Sequence, residues 1–298
     1  MSFVQSIADL LDIINVPISD APPLDKPSIQ LVSTQTNNDD TISVVQLRSA
    51  HLIPSDNLEK IFKITLVYTA RAFLVPDVRT LSAEDRHDHF EHTFLGGGNV
   101  FLLGKLSSHV ISEGKEYDIS GPTSIQIFSH ANFHTYDIPN SIANSSECKA
   151  VYLSGVACDP EHQGRGFATY IMTESIKILR LIPGVKYLTL RTMNHAVVKC
   201  CKRSCRQNTN DEQSVQVFPV DTFDERPDLI HVCNTIANIF GWKNVKPEKL
   251  MIECAYPDFL IPIFKGNVNH NQEDLIRNRV EEIINRDRGD ALFCIVDL

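Results

Sequence analysis

The sequence predicts an α/β fold, because one buried strand leads directly into a helix and then into a second strand. Residues Ala150–Cys158 carry apolar side chains on both faces, which is typical of a strand in the middle of a sheet. The helix Phe167–Leu181 follows and is ended by a proline and a glycine, and the strand Tyr187–Leu190 comes next. The composition, 43% hydrophobic and 22% charged over 298 residues, is that of an ordinary folded protein.

The hydrophobic pattern predicts the other elements and a division of the chain into three parts. We expect strands at Ile42–Leu47, Val100–Leu103, Ser124–Tyr136, Leu250–Phe264 and Ala291–Val296. We expect helices at Asn57–Phe73, Leu81–Phe94, Asp228–Phe240 and Gln272–Asn285, and a short one from Asn194. We expect residues 1–41 to form an amphipathic helix and a proline-rich linker, 42–206 to form the core, and 207–298 to complete or cover that core.

The charge of the chain is unevenly distributed. The chain has 28 Lys and Arg residues and 37 Asp and Glu residues, and the resulting net charge of −9 argues against a general nucleic-acid binder. Asp159–Arg206 is the exception, with 9 basic and 3 acidic residues. This basic segment is either a solvated helix face or a place where an anion binds.

The remaining sequence features favour an intracellular protein without a metal site. No basic region precedes the first apolar residues, and no apolar stretch approaches the roughly 20 residues that cross a bilayer, so we expect a cytoplasmic protein, with the nucleus as an alternative. Eight cysteines are too few for a disulfide scaffold and are expected to be reduced. Cys200, Cys201 and Cys205, near His195, lack the C-x-x-C pairs of common zinc sites. The alternating charges around His87, His89 and His92 indicate an exposed helix surface and not a metal site.

The segment between the two central strands has the composition of a phosphate-binding loop. After Asp159 and Pro160 the chain continues as Gln163-Gly164-Arg165-Gly166-Phe167-Ala168 and enters the helix directly. Glycines let the backbone approach a bulky anion, and amides at a helix start donate to phosphate oxygens. The loop is not a Walker motif, because no Lys-Ser or Lys-Thr pair follows the second glycine.

This stretch resembles the GNAT superfamily of acetyl-CoA-dependent N-acetyltransferases. Their pyrophosphate signature is Gln or Arg, two residues, Gly, one residue, then Gly or Ala, and Gln163, Gly166 and Ala168 match it. The resemblance extends over roughly 42–206 and is strongest at 149–199. It implies a mixed, mostly antiparallel sheet flanked by helices, with N-terminal and C-terminal extensions. It also implies acetyl-CoA as co-substrate and an amine acceptor, either a small molecule or a protein amine.

The resemblance further implies roles for individual residues. The backbone of Val156, Ala157 and Cys158 would align the pantetheine arm, and Asn194 would contact that arm further along. The loop residues that would hold pyrophosphate are Gln163, Gly164, Arg165, Gly166, Phe167 and Ala168. The amine would attack the thioester directly in a ternary complex.

Two departures from the family pattern leave the catalytic groups open. Many members have a proton-donating tyrosine seven residues after the asparagine, where this chain has Cys201. No glutamate lies on Ala150–Cys158 to act as base, so His130, His134, Glu147 or an ordered water are the alternatives. A catalytically weak module that binds or senses CoA, or that serves interactions, is therefore the second hypothesis. We expect residues 1–41 and 207–298 to complete or cover the sheet, or to form a homodimer contact.

Overall fold

The structure, a computed structural model, describes residues 29–37, 40–47, 99–106, 125–139, 148–208, 215–222, 226–256 and 275–298. The strands in these ranges are β1 Ile29–Asn37, β2 Asp40–Leu47, β3 Asn99–Leu106, β4 Ile125–Ile138, β5 Cys148–Cys158, β6 Val185–Thr192, β7 Val217–Phe218, β8 Val245–Lys246, β9 Met251–Ile252 and β10 Ala291–Asp297. The α-helices are α1 Phe167–Leu179, α2 His195–Arg206, α3 Pro227–Ile239 and α4 Leu275–Ile283.

The chain divides into two compact units, and β4, β5 and α1 contribute to both. The first unit comprises Met1–Asn132 and Gly155–Ile171, and the second comprises Phe133–Ser154 and Met172–Leu298. In the first unit β2 pairs antiparallel with β1 and with β3, and β3 neighbours β4. Its described core is apolar and comes largely from β2 and β3: Val44, Val45, Leu47, Val100, Phe101, Leu102 and Leu103.

The second unit is built around β10, which the end of the chain supplies. β10 pairs antiparallel with β6, β7 and β9, while β5 and β6 form a parallel pair. Every residue from Ala291 to Val296 is buried, so both faces of this strand are covered. Trp242 packs edge-on against Phe293, with ring centroids 5.7 Å apart, and stacks on Phe240 at 5.0 Å. The C-terminal segment is thus part of the core of this unit.

The predicted fold class is confirmed: the sheet is mixed and mostly antiparallel, and helices flank it. The predicted strand Leu250–Phe264 is wrong in length, because β9 ends at Ile252 and a turn follows in which Cys254 has φ of 52°. β1 lies inside the predicted linker 1–41, where the prolines masked a strand signal. The helices predicted at the chain start, at 57–73 and at 81–94 lie outside the described residues.

None of the helices within the described ranges combines the length and the apolar composition needed to cross a membrane.

We predict that Phe293→Ala lowers the free energy of unfolding by about 3–5 kcal/mol, because the substitution empties a fully buried site on β10. Phe293→Leu keeps most of the volume and should cost about 1–2 kcal/mol. Urea denaturation followed by the fluorescence of Trp242, the sole tryptophan, measures both. A loss below about 0.5 kcal/mol for Phe293→Ala, the range of a surface substitution, would contradict the placement of β10 in the core.

Candidate functional site

The site begins where β5 ends, at a strand end held by a buried hydrogen bond. The Ser129 hydroxyl on β4 donates to the Ala157 carbonyl oxygen over 2.8 Å. Ala157 is buried, while Val156 and Cys158 on either side of it are half-buried. Burial, with the neighbouring Asp159 carboxylate, raises the pKa of Cys158 to about 11, so its thiol stays protonated at neutral pH.

A short 3₁₀ turn, Pro160–His162, follows the strand and is capped by Asp159. The Asp159 carboxylate accepts a hydrogen bond from the Glu161 amide at 3.2 Å, and the Asp159 carbonyl accepts one from the His162 amide at 2.8 Å. The Gln163 side chain then donates back to the Cys158 carbonyl at 3.3 Å. These bonds close the chain into a compact corner, so the loop leaves the strand in a fixed direction.

Two glycines in left-handed conformations carry the chain from this corner into α1. Gly164 has φ of 78° and Gly166 has φ of 83°, values that side-chain-bearing residues rarely adopt. A Cβ built on either glycine would have no atom within 4 Å. The glycines are therefore required by the backbone conformation, and the space beside them is open.

The start of α1 is electrostatically suited to an anion. The first helical hydrogen bond runs from the Tyr170 amide to the Gly166 carbonyl, and the first turn contains no acidic residue. Arg165 is exposed, with its guanidinium 6.0 Å from the Phe167 ring centroid. A helix N-terminus stabilises a nearby negative charge by about 0.3–1 kcal/mol. The amides, the helix dipole and Arg165 would thus all stabilise a negative charge at the start of α1.

Further contacts in the first unit hold this helix start, and the sequence did not predict them. The Tyr170 hydroxyl shares a hydrogen bond with the Ser33 hydroxyl on β1, 3.0 Å away. The His162 ring stacks on Phe167, with centroids 6.2 Å apart, and its Nδ1 lies 3.7 Å from the Asp159 carboxylate. Only the His162 to Asp159 spacing of three residues is a signal in the sequence. The Ser33 and Ser129 contacts depend on distant residues.

Asn194, in the second unit, is the N-cap of α2. Its side-chain oxygen accepts from the Ala196 amide at 2.9 Å, and its backbone amide donates to the Thr192 hydroxyl at 2.9 Å. The cap uses the oxygen of the Asn194 amide and leaves the Nδ2 donor directed away from that bond. A contact of Asn194 with a ligand is thus compatible with its capping role.

The three candidate catalytic residues are all buried. His130 is 2% exposed, His134 is 6% exposed, and the His134 ring lies 6.3 Å from the Tyr136 ring in a stacked arrangement. Cys201 is 0% exposed; a hydrogen bond with Cys205 and burial raise the pKa of its thiol well above the ordinary value. These surroundings favour a packing role for Cys201 over proton donation. Glu147 lies outside the described residues.

Of the two clusters considered for zinc, the structure describes the one formed by the cysteines of α2 and His195. Within the described ranges, no three His, Cys, Asp or Glu side chains are arranged to hold a metal ion. Cys201 and Cys205 are fully buried on α2, and Cys200 is half-buried. His87, His89 and His92 lie outside the described residues.

Comparison with known proteins gives one family match and several similar structures. Residues 130–205 match the model of the acetyltransferase (GNAT) family. No curated protein sequence matches the chain. Arabidopsis thaliana NAA60 in complex with acetyl-CoA is 15% identical over 54% of this chain and 85% of that chain, with a TM-score of 0.36. A soil-metagenome aminoglycoside acetyltransferase in complex with sisomicin is 16% identical over 57% of this chain and 90% of that chain, with a TM-score of 0.34.

The structural likenesses are too weak to support an argument about fold or function, whereas the family match coincides with the site. It begins in β4 and runs through β5, the glycine loop, α1 and β6 to the last turn of α2. The Gln163, Gly166 and Ala168 signature lies inside it. The match to the GNAT acetyltransferase family model therefore covers about a quarter of the chain and contains the glycine loop and Asn194.

Proposed function

We propose that the chain transfers an acetyl group from acetyl-CoA to an amine acceptor. The observation that carries this proposal is the loop Gln163–Ala168, with its two left-handed glycines and open space at the start of α1. The family match supports an acyl transfer. The identity of the donor and the choice of an amine as acceptor belong to the proposal.

The loop would hold the diphosphate of CoA through its backbone. The amides from Gly164 to Ala168 surround the helix start, where phosphate oxygens are good acceptors. Hydrogen bonds to charged groups contribute about 1.5–3 kcal/mol each, roughly twice as much as neutral ones. Arg165, whose side chain is exposed, would add a cation from the loop itself. This long side chain would adjust its position to the bound phosphates.

The end of β5 would align the pantetheine arm. The arm contains amide groups that can pair with a strand backbone as an extra strand would, and the backbone of Val156–Cys158 offers donors and acceptors at strand spacing. The bond from Ser129 to Ala157 keeps this backbone rigid. An amide of the same strand would polarise the thioester carbonyl as negative charge develops on its oxygen.

Transfer requires a neutral amine, an oxyanion donor and a proton for the departing CoA sulfur. The amine nitrogen attacks the thioester carbon, the C–S bond breaks, and the nitrogen loses a proton that the CoA thiolate can take up directly or through water. A free thiol has a pKa of about 8.5, so the leaving group does not need a strong acid. A cationic amine must first lose one proton to become a nucleophile, and His130 and His134 remain our candidates for accepting that proton. We assign Cys201 to packing.

We propose a cationic amine, such as a lysine side chain, a polyamine or an aminoglycoside-like compound, as the acceptor. The support is the net charge of −9, which raises the local concentration of cations around the protein. The alternative, a module that binds CoA with little turnover, is favoured by the burial of Cys201 at the position of the family's tyrosine. The two proposals agree on binding and differ on transfer.

We predict that Gly166→Leu weakens CoA binding at least tenfold, measured by calorimetry, because a side chain fills the space where phosphate binds. Gly241→Leu is the matched control, since Gly241 is also left-handed, with φ of 61°, and has no atom within 4 Å of a built Cβ. Each substitution should cost about 1–2 kcal/mol of stability for the backbone conformation. Equal CoA affinities in the two variants would overturn the assignment of the loop.

Substitutions of Asn194 are expected to separate capping from ligand contact. Asn194→Asp retains an oxygen for the Ala196 amide, so its stability should stay within a few tenths of a kcal/mol, whereas Asn194→Ala should lose about 1 kcal/mol. Both variants lack the Nδ2 donor and should bind CoA several-fold more weakly. If Asn194→Asp binds CoA like the unmodified chain, Asn194 acts only as a cap.

Release of free CoA from acetyl-CoA in the presence of an amine panel tests the transfer reaction. We expect release with at least one cationic amine, and loss of that release in Gly166→Leu but not in Gly241→Leu. Tight acetyl-CoA binding with no release across primary amines and peptide N-termini would contradict transfer and support the binding module. A mass increase of the acceptor by one acetyl group distinguishes transfer from hydrolysis.

A further inference from the structure

Arg191, on β6, is a cation that the described part of the chain holds with aromatic rings and not with a carboxylate. Its guanidinium carbon lies 5.0 Å from the ring centroid of Trp242 and 5.2 Å from that of Tyr256. Both distances lie within the roughly 6 Å over which an aromatic ring attracts a cation. Within the ranges that the structure describes, no acidic side chain forms an ion pair with Arg191.

Other arginines of the second unit differ from Arg191 in this respect. Arg226 donates to the Asp228 carboxylate at 2.8 Å. Arg288 donates to the Asp290 carboxylate at 2.7 Å. A guanidinium group has five N–H donors, and contact with a ring face supplies no oxygen acceptor for them. The N–H edges of Arg191 are therefore suited to an acceptor that a ligand brings.

The tyrosine hydroxyls near Arg191 do not neutralise its charge. Burial raises the pKa of both Tyr152 and Tyr256, against the opposing effect of the Arg191 charge. Both phenols are therefore neutral at pH 7. The Tyr256 hydroxyl donates to the Arg191 carbonyl oxygen over 3.2 Å, so this residue holds the backbone of Arg191 as well as its side chain.

The Trp242 ring is itself held by other rings, so the guanidinium of Arg191 rests on a rigid surface. Phe240 stacks on Trp242 with ring centroids 5.0 Å apart. Tyr152 and Phe293 each lie with their ring centroids 5.7 Å from that of Trp242. A cation that is positioned before binding loses less conformational freedom when an anion arrives.

Arg191 lies at the end of β6 that leads to Asn194. The parallel pairing of β5 with β6 ends at Leu153 and Leu190. The next residues on the two strands are Ser154, which is exposed, and Arg191, which is half-buried. Asn194, the proposed contact of the pantetheine arm, follows Arg191 by three residues. Arg191 is thus at the strand end that the proposed function uses.

We propose that Arg191 binds a carboxylate group of the acceptor, which makes the acceptor a cationic amino acid. A guanidinium fork and a carboxylate can form two parallel N–H···O bonds, a geometry that an ammonium group does not offer. The inference rests on the proposed function, because it identifies the ligand as the amine acceptor. Among cationic amines it selects lysine and similar amino acids over polyamines and aminoglycoside-like compounds.

Three pairs of amines that differ only in a carboxylate test the proposal: lysine and cadaverine, ornithine and putrescine, and arginine and agmatine. Calorimetry with the full chain, with and without CoA, should show at least one amino acid binding at least tenfold more tightly than its decarboxylated partner. The same amino acid should change the fluorescence of Trp242, the sole tryptophan and a contact of Arg191. No preference in any pair, or binding that leaves Trp242 emission unchanged, would overturn the proposal.

Substitutions of Arg191 assign the preference to its guanidinium. Arg191→Gln should weaken binding of the amino acid at least tenfold without weakening binding of its partner. Arg191→Lys keeps a cation beside Trp242 should the first variant fail to fold, and should bind the amino acid several-fold more weakly because the fork is lost. The matched control is Arg279→Gln, since Arg279 pairs with Glu282 at 2.9 Å, and its affinities should stay within twofold. Equal losses in Arg191→Gln and Arg279→Gln would contradict the assignment.

Acetyl transfer separates this inference from the proposed function. Amino-acid binding that depends on Arg191 but leads to no acetylation would support the carboxylate site and contradict the transfer. Acetylation of an amino acid and of its decarboxylated partner with equal kcat/KM would support the transfer and contradict the carboxylate site.

Discussion

The candidate site depends on one backbone constraint, the left-handed conformation at Gly164 and Gly166. Between them these residues turn the chain from the end of β5 into the first turn of α1 within a few residues, so the amides of the loop and the helix start gather in one place. The corner capped by Asp159 and the Ser129 bond fix the entry to the loop. The Tyr170 to Ser33 bond fixes its exit. The glycines therefore supply the shape, and long-range contacts supply the rigidity that preorganised binding requires.

Several cations of the basic segment Asp159–Arg206 form ion pairs in the structure and are therefore not available to bind an anion at the loop. The segment contains the glycine loop, but Lys177 pairs with Glu174 at 2.6 Å and Lys202 pairs with Asp221. Arg165 is the cation of this segment that lies in the loop itself. Lys199 and Arg203 lie four residues apart on α2. The positive charge of this segment is thus divided among the loop, β6 and the helices α1 and α2.

Short-range features of the fold were predictable, because local sequence determines them. The strand–helix–strand unit, the glycine spacing and the Asn194 cap each depend on residues within a few positions of one another, and the structure has all three. β1 was missed because the prolines that precede it favour an irregular linker. The bonds from Ser129 to Ala157 and between Tyr170 and Ser33 join residues that are 28 and 137 positions apart, and a single sequence carries no signal for such pairs.

Amide NMR of the full chain with and without CoA tests the central claim most directly, since it reads the loop backbone itself. If the loop holds the diphosphate, the NMR signals of four amides shift strongly as CoA is added, and all four give the same Kd. These are the amides of Gly164, Arg165, Gly166 and Ala168. These shifts persist with 3′-dephospho-CoA, which retains the diphosphate. Saturable CoA binding that leaves all four amides unmoved would contradict the claim.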